Sequence, residues 1–455
     1  MTGKTYRVGT LTYTRGQLIQ VFVWLLLGDF CLHLMDNGVI PTLAPLQFEK
    51  LGASKTLYNF VAVTLVNFMY VLLVPVVSTW SDRTRTPLGR RRPFLLIASP
   101  LLAIVLILLG FSLNIARWMN ASMPSIVGGM SVMTLALSLT VGLFVLFKFL
   151  DMFPQSVYYY LWPDVIPHDL LGVFGALFRV FYALGSLVFN KFLIGLAKEH
   201  PEEIYAGSAV LYLVAFLVLV WRVKEPEYPR PEPRASESGF FARFAGATRA
   251  YFVECFSHAF YWKYFLAMAA FQMGYQPFIA NLVYYGKQIF GDTQEGLSRY
   301  GNVMALKDVL WIGIYLLLVP VMTKLHPLRA GLVGYVLLTI GSAGGFFFIH
   351  DPTTFRVFTV LTFVAAGVYL GGTAAIGPKL LPMEKYGQFA SAGALVFRLS
   401  VALAGLACGP IFDALGIRYV YAWLALFMLI GTILMAWLYI DWKRLGGDEA
   451  YTPPK

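Results

Sequence analysis

Charge is scarce in this chain of 455 residues: Asp, Glu, Lys and Arg make up 13% of it against 58% hydrophobic residues, and no soluble core could hide that much apolar surface. Cysteine is scarce as well. Cys31 and Cys408 fall inside apolar runs and Cys255 in a polar, basic segment, so no disulfide framework follows. There is no GxxxxGK phosphate loop, so an ATP-driven pump would need a separate subunit, and no HExxH motif, so neither a metal nor another cofactor is expected. Acidic side chains number 24 against 35 basic ones. The basic surplus sits mainly in short loops between apolar runs, which is the pattern that orients a membrane protein and not one that binds nucleic acid. Residues 1–17 are polar and basic, and the run after them lacks a small-residue cleavage site; they read as a cytoplasmic tail.

What is present is a succession of long apolar runs, near 18–41, 56–80, 93–113, 126–162, 171–196 and 205–223, then 263–289, 300–323, 329–350, 356–380, 387–413 and 418–441. Each can cross a hydrocarbon core of about 30 Å as a helix of roughly 20 residues. The fourth is too long for one straight crossing and is expected to tilt, or to leave the bilayer at its Pro154 and Tyr158 to Tyr160 end. Lys4, Arg7, Arg15, Lys443 and Arg444 put both termini on the cytoplasmic side. The predicted fold is an all-α membrane protein of twelve transmembrane helices in two six-helix halves, 1–223 and 263–455. Between them, 224–262 holds a Pro-rich charged linker (KEPEYPRPEPRASES) and an amphipathic interfacial helix carrying Phe240, Phe244, Ala247 and Tyr251.

Two internal echoes support a tandem duplication. LLVPVVS at Leu72 to Ser78 matches LLVPVMT at Leu317 to Thr323, and GALFR ending at Arg179 matches GALVFR ending at Arg398. The loop Ser81 to Phe94, SDRTRTPLGRRRPF, places an aspartate and five arginines between the second and third runs. It resembles the signature loop of the major facilitator superfamily, and its GRRRPF ending is similar to the sucrose transporters and the related glycoside–cation symporters. The resemblance spans essentially the whole chain. It implies a cavity lined by spans one, four, seven and ten, and it gives Asp151 in span four the coupling proton. The chain departs from plant sucrose transporters after that aspartate, where MFPQSVYYYLW replaces their polar residues, and the second-half copy of the loop, TKLHPLRAG, has no acid.

Ionisable groups inside a span cost about 2.5–3.5 kcal/mol each on insertion scales, so they should face a wet cavity or a partner. Asp29, His33 and Asp36 recur at i, i+4 and i+7 on one face of span one, and Lys148, Asp151 and Gln155 at i, i+3 and i+7 in span four. With Arg179 these acids and bases are candidates for proton or ion coupling. Packing networks are the plainer alternative for the same groups. Gln155, Gln272, Gln276, Lys307, Asp308, Trp311 and Arg398 are candidates for substrate contact, because amides suit hydroxyl groups and an indole face suits a sugar ring. Trp311 as packing and the two arginines as snorkelling groups remain open alternatives. Asp82, Arg83, Arg90 and Arg91 are candidates for a gate that closes the cytoplasmic side across the two halves.

These features together predict a secondary active transporter, not an enzyme, functional as a monomer in the cytoplasmic membrane of a bacterium. It would move a sugar or glycoside inward with protons, sodium being the other coupling ion the acids could serve. Proton-driven export of an amphipathic molecule and a non-transporting membrane protein that serves assembly or binds pigment are the competing readings.

Overall fold

A computed structural model of the chain describes residues 5–228, 253–322 and 325–454. Most of the linker, the amphipathic helix expected at Phe240 to Tyr251 and the end of the Leu317 to Thr323 echo lie outside these residues. Twelve long helices account for most of what is described: α1 Arg15–Lys50, α2 Lys55–Arg83, α3 Arg92–Gly110, α4 Val132–Val165, α5 His168–Leu196, α6 Pro201–Arg222, α7 Ala259–Phe290, α8 Gln294–Met322, α9 Pro327–Phe348, α10 Pro352–Thr373, α11 Met383–Leu415 and α12 Tyr419–Arg444. Ten of them are apolar enough to cross a membrane by composition alone. The other two, α7 and α8, have 32 and 29 residues and so the required length, but tyrosine, amide and charged side chains dilute their hydropathy. Successive helices run in opposite directions, so α1 begins and α12 ends at one end of the molecule, the termini end. The opposite end is called the far end.

Several boundaries differ from those read off the apolar runs. The first helix runs on to Lys50, because Pro41 sits in the first turn of its last segment, where proline is tolerated, and Pro45 is absorbed inside it. The third ends at Gly110 and is followed by a separate amphipathic helix, Ser112–Ser122. The fourth starts only at Val132, after Gly128 and Gly129 take positive φ, which stops the chain from continuing as one helix from residue 126. It then passes straight through Pro154 to Val165. The tail before α1 is structured: Tyr6–Val8 and Leu11–Tyr13 form a two-stranded antiparallel hairpin turning at Gly9. Thr14 and Gln17 close a capping box that starts α1.

Helix α1 loosens to a π-helical turn at Leu34–Val39, and α2 and α5 do so at Phe60–Leu65 and Phe189–Leu193. Such turns insert an extra residue and often mark functional positions. The two echo segments share a local structure. After Pro167 and after Pro382 comes a short 3-10 turn, His168–Leu170 and Met383–Lys385, followed at once by the helix that carries Arg179 or Arg398.

Helices before and after the linker meet along two seams, α2 against α11 and α5 against α8. Glycine makes both possible. A Cβ on Gly409 would fall 2.6 Å from Thr56 Cα, and one on Gly301 would fall 2.4 Å from the Asn190 carbonyl oxygen. Hydrogen bonds and ion pairs, one of them between α1 and α7, also join the two sets of helices at the far end. Asp413 accepts from the Thr56 hydroxyl at 2.6 Å and backbone at 2.8 Å, Lys287 pairs with Glu49 at 2.5 Å, and Lys198 pairs with Asp292 at 3.2 Å. Deeper, Asn59 and Asn281 exchange amide hydrogen bonds of 3.0 and 2.8 Å.

Candidate functional site

Four side chains from α1 and α4 form one cluster. The Lys148 ammonium lies 3.2 Å from Asp36 and 3.2 Å from Asp151. Gln155 donates to Asp151 at 3.1 Å and also to Asp36. Lys148, Asp151 and Gln155 meet because a helix returns to the same face after three, four and seven residues. Asp36 joins them from the π-helical turn. Asp151 is fully buried, and its Oδ1 meets no hydrogen-bond partner among the described residues.

The face of span one expected to carry Asp29, His33 and Asp36 together is divided. Asp29 lies 3.2 Å from His33, while Asp36 is drawn away into the Lys148 cluster. The extra residue of the π turn at Leu34–Val39 breaks the simple i, i+4, i+7 register. His33 instead contacts Asn37 at 2.9 Å and the Tyr159 hydroxyl at 3.3 Å, with the Tyr182 ring 4.3 Å away.

A second ion pair lies on α8 and is hydrogen-bonded across to α5. Lys307 and Asp308 of α8 lie 2.7 Å apart, and the other Asp308 oxygen accepts from Ser186 at 2.9 Å and Asn190 at 2.8 Å, both on α5. The pair borders a small central cavity of about 70 Å³, together with Asn37, Tyr182, Tyr275 and Trp311. Trp311 is buried, and its indole donates to the Phe363 carbonyl at 2.6 Å, so packing fixes the ring. Arg179 does not meet Asp151; its guanidinium lies 5.2 Å from the Tyr315 ring of α8. Arg398 reaches from α11 to Asn67 on α2 at 3.2 Å and sits over the Tyr70 ring at 4.7 Å. Tyr70 is close enough to Asp36, Lys148 and Asp151 to interact with them electrostatically. Gln272 and Gln276 bond to each other at 3.3 Å, one turn apart on α7.

At the termini end, the loop residues pair with neighbours from α2 and α4. Arg91 binds Asp82 at 2.5 Å, and Arg90 binds Asp164 at 2.6 Å. Arg83 ends α2 exposed, and the ion-pair partners of Asp82, Arg90 and Arg91 all precede the linker, where contacts across the halves were expected. The missed partner here is Glu225, just after α6. Its carboxylate accepts from the backbone N–H groups of Arg90, Arg91 and Arg92 at 2.7–3.1 Å, closing the start of α3. Sequence reading also missed Asn37, Ser186 and Asn190. Asn37 alone left a signal, one helical turn after His33.

Twelve long helices, ten of them apolar enough to cross a membrane, with ion pairs buried among them, define a polytopic membrane protein. A model of the MFS/sugar transport protein family matches residues 26–381, and the chain belongs to that family. No curated protein matches the sequence. Among solved structures, the chain is similar to the nucleoside transporter NupG, at 10% identity and a TM-score of 0.65 over 92% of this chain and 100% of that one. A D-xylose–proton symporter matches at 13% identity and 0.64 over 92% and 97%. A bacterial homologue of the human lysosomal transporter Spinster, inward-facing and unoccupied, matches at 14% and 0.60 over 94% and 96%. At these identities the likeness shows the fold.

Proposed function

We propose that the protein is a proton-coupled symporter that carries a sugar or glycoside by alternating access, acting as a monomer in a bacterial cytoplasmic membrane with both termini in the cytoplasm. The Asp36–Lys148–Asp151–Gln155 cluster is the observation that carries this reading. Two carboxylates and one ammonium leave one negative charge, and one proton brings the group to neutrality. A neutral cluster can pass through a reorientation that excludes water, whereas a charged one pays a desolvation penalty of several kcal/mol. The unpartnered Asp151 Oδ1 offers the proton a place. An ammonium already 3.2 Å from both acids takes the position a sodium ion would need, which favours the proton.

Further support comes from the family and from the likeness to a D-xylose–proton symporter. The concentration of Arg83, Arg85, Arg90, Arg91, Arg92, Arg222, Lys443 and Arg444 at the termini end favours the cytoplasm for that end. The seams are bonded at the far end, as in a carrier open inward. The test is Asp151→Asn in vesicles. It is expected to abolish gradient-driven accumulation of a transported sugar while preserving counterflow exchange, which also reports that the variant is folded. Full accumulation by the variant sinks the coupling role.

A further inference from the structure

Between the termini-end portions of α7, α10 and α11 lies a cavity of about 300 Å³ whose lining differs from every polar cluster described above. Its walls include Tyr264, Phe265, Phe271, Tyr369, Phe389 and Phe397, and none of its lining residues is charged. The rings are held face to face: Phe271 stacks on Tyr369 at 4.3 Å and 19°, and on Tyr275 at 4.8 Å and 25°. Polar groups are few. Gln272 contributes an amide, the Tyr264 and Tyr386 hydroxyls both lie near Gly377, and the Thr373 hydroxyl is spent on the Tyr369 carbonyl.

This wall does not suit a second sugar ring, whose several hydroxyls would each lose water without finding a partner. It does suit a flat apolar ring, which prefers offset or edge contacts with aromatic side chains. Size agrees: a dry cavity of about 150 Å³ holds one benzene, so about twice that volume holds one or two fused rings. One residue along α11 separates the cavity lining from the polar wall. Phe397 lines the cavity, and the next residue, Arg398, reaches Asn67 and Tyr70 on α2, beside the Asp36–Lys148–Asp151 cluster. A molecule with a hydroxylated head and a flat tail would therefore meet the hydrogen-bonding groups at one end and the rings at the other.

We propose that this pocket receives the aglycone of the transported molecule, so that the substrate class is glycosides bearing an aromatic aglycone and not free mono- or disaccharides. The inference rests on the reading of the protein as a proton-coupled glycoside carrier. Ala390 and Ala394 line the pocket and are exposed to it, one helical turn apart, so leucine at either position fills the space.

The experiment compares phenyl β-glucoside with methyl β-glucoside, by binding to the purified protein in calorimetry and by uptake into vesicles with an inward proton gradient. The wild type is expected to prefer the phenyl compound by about 10- to 100-fold in both, the value of burying one phenyl ring. Ala394→Leu, with Ala390→Leu as an independent second variant, is expected to bring that ratio to about threefold or less. Uptake of both compounds with no phenyl preference, or a preference unchanged in both variants, overturns the aglycone pocket and leaves the carrier reading standing. Pocket-dependent phenyl binding without gradient-driven uptake supports the pocket and overturns the carrier reading. Neither binding nor uptake of either compound overturns both.

Discussion

Replacing Gly409 by alanine should open the far end of the protein. A Cβ there would sit 2.6 Å from Thr56 Cα and 3.2 Å from the Lys55 carbonyl oxygen. Carbon atoms rest at about 3.5–4.0 Å, so α2 and α11 must part by about 1 Å. Asp413, one turn further along α11, holds the same seam by hydrogen bonds of 2.6 and 2.8 Å to Thr56, and a 1 Å separation takes both beyond bonding range. Overpacking of this kind costs about 1–3 kcal/mol, and the weakened charged hydrogen bonds, discounted for partial exposure, add about 1 kcal/mol. The sum, about 3 kcal/mol, moves an equilibrium between far-end-closed and far-end-open forms by about 100-fold. Spin labels on Lys50 and Ala414 at the far end, with a second pair on Arg83 and Glu384 at the termini end, read both ends by pulsed electron resonance. The native Cys31, Cys255 and Cys408 are buried and should not label. The far-end distance should lengthen and the termini-end distance shorten. A folded variant with unchanged distances at both ends would refute the claim that this glycine contact holds the seam.

Two further outcomes test other contacts. Glu225→Ala leaves three backbone N–H groups at the start of α3 without their acceptor, and it should lower the stability of the detergent-solubilised protein by about 1–2 kcal/mol; an unchanged melting temperature would remove the capping role. At the far end, burial alone would raise the carboxyl of Asp292, but the neighbouring Lys198 and Lys287 ammonium groups outweigh it and hold it below the ordinary aspartate value. A depressed acid contributes stabilisation that is fully present above the ordinary value of about 3.9 and is lost as pH falls through the lowered one. Acidification below pH of about 4 should therefore loosen the far-end seam in the wild type, with no change between pH 5 and 7. Asp292→Asn should lack that component of the response, and an acid response identical to the wild type's would show that this pair does not contribute.

The architecture was legible because lipid leaves the backbone few options: each crossing needs about 20 apolar residues, and those runs are visible without knowing how they pack. Their ends were less so, since α1 continues past its apolar stretch through Pro45, which tertiary packing tolerates, and α4 starts only after Gly128 and Gly129 break the run. The Lys148, Asp151 and Gln155 part of the site was legible for a related reason. All three lie on one helix, where spacing alone decides who meets whom. Asp36 was assigned to the wrong neighbours because a π turn has no pattern in the apolar period. The Asp308 latch was hidden more deeply, for its partners Ser186 and Asn190 are neutral, lie about 120 positions away, and gain meaning only when α5 touches α8.

The division of labour between these groups constrains how a proton could be felt by the rest of the molecule. The Asp36–Lys148–Asp151–Gln155 cluster joins α1 to α4, both before the linker, so its protonation cannot by itself make or break a bond between the two sets of helices. Bonds that cross between them inside the molecule include those of Asp308 with Ser186 and Asn190, of Arg398 with Asn67, and of the Thr64 hydroxyl with the Ala402 carbonyl. Two links join the systems: the Tyr70 ring, which lies between the cluster and Arg398, and one peptide of the π turn in α1. Asp36 belongs to the ionisable cluster. Asn37, the next residue, contacts His33 and Tyr182 and borders the cavity that Lys307 and Asp308 share. A π turn can relax toward regular helix by shifting one residue in register, at little loss of backbone hydrogen bonding. Such a shift, driven by release of Asp36 from Lys148, would carry Asn37 with it and disturb the cavity wall against which α5 and α8 are latched. On the proposed reading of the protein as proton-coupled, this shift is a route by which the cluster acts on the other half without a direct ion pair between the halves.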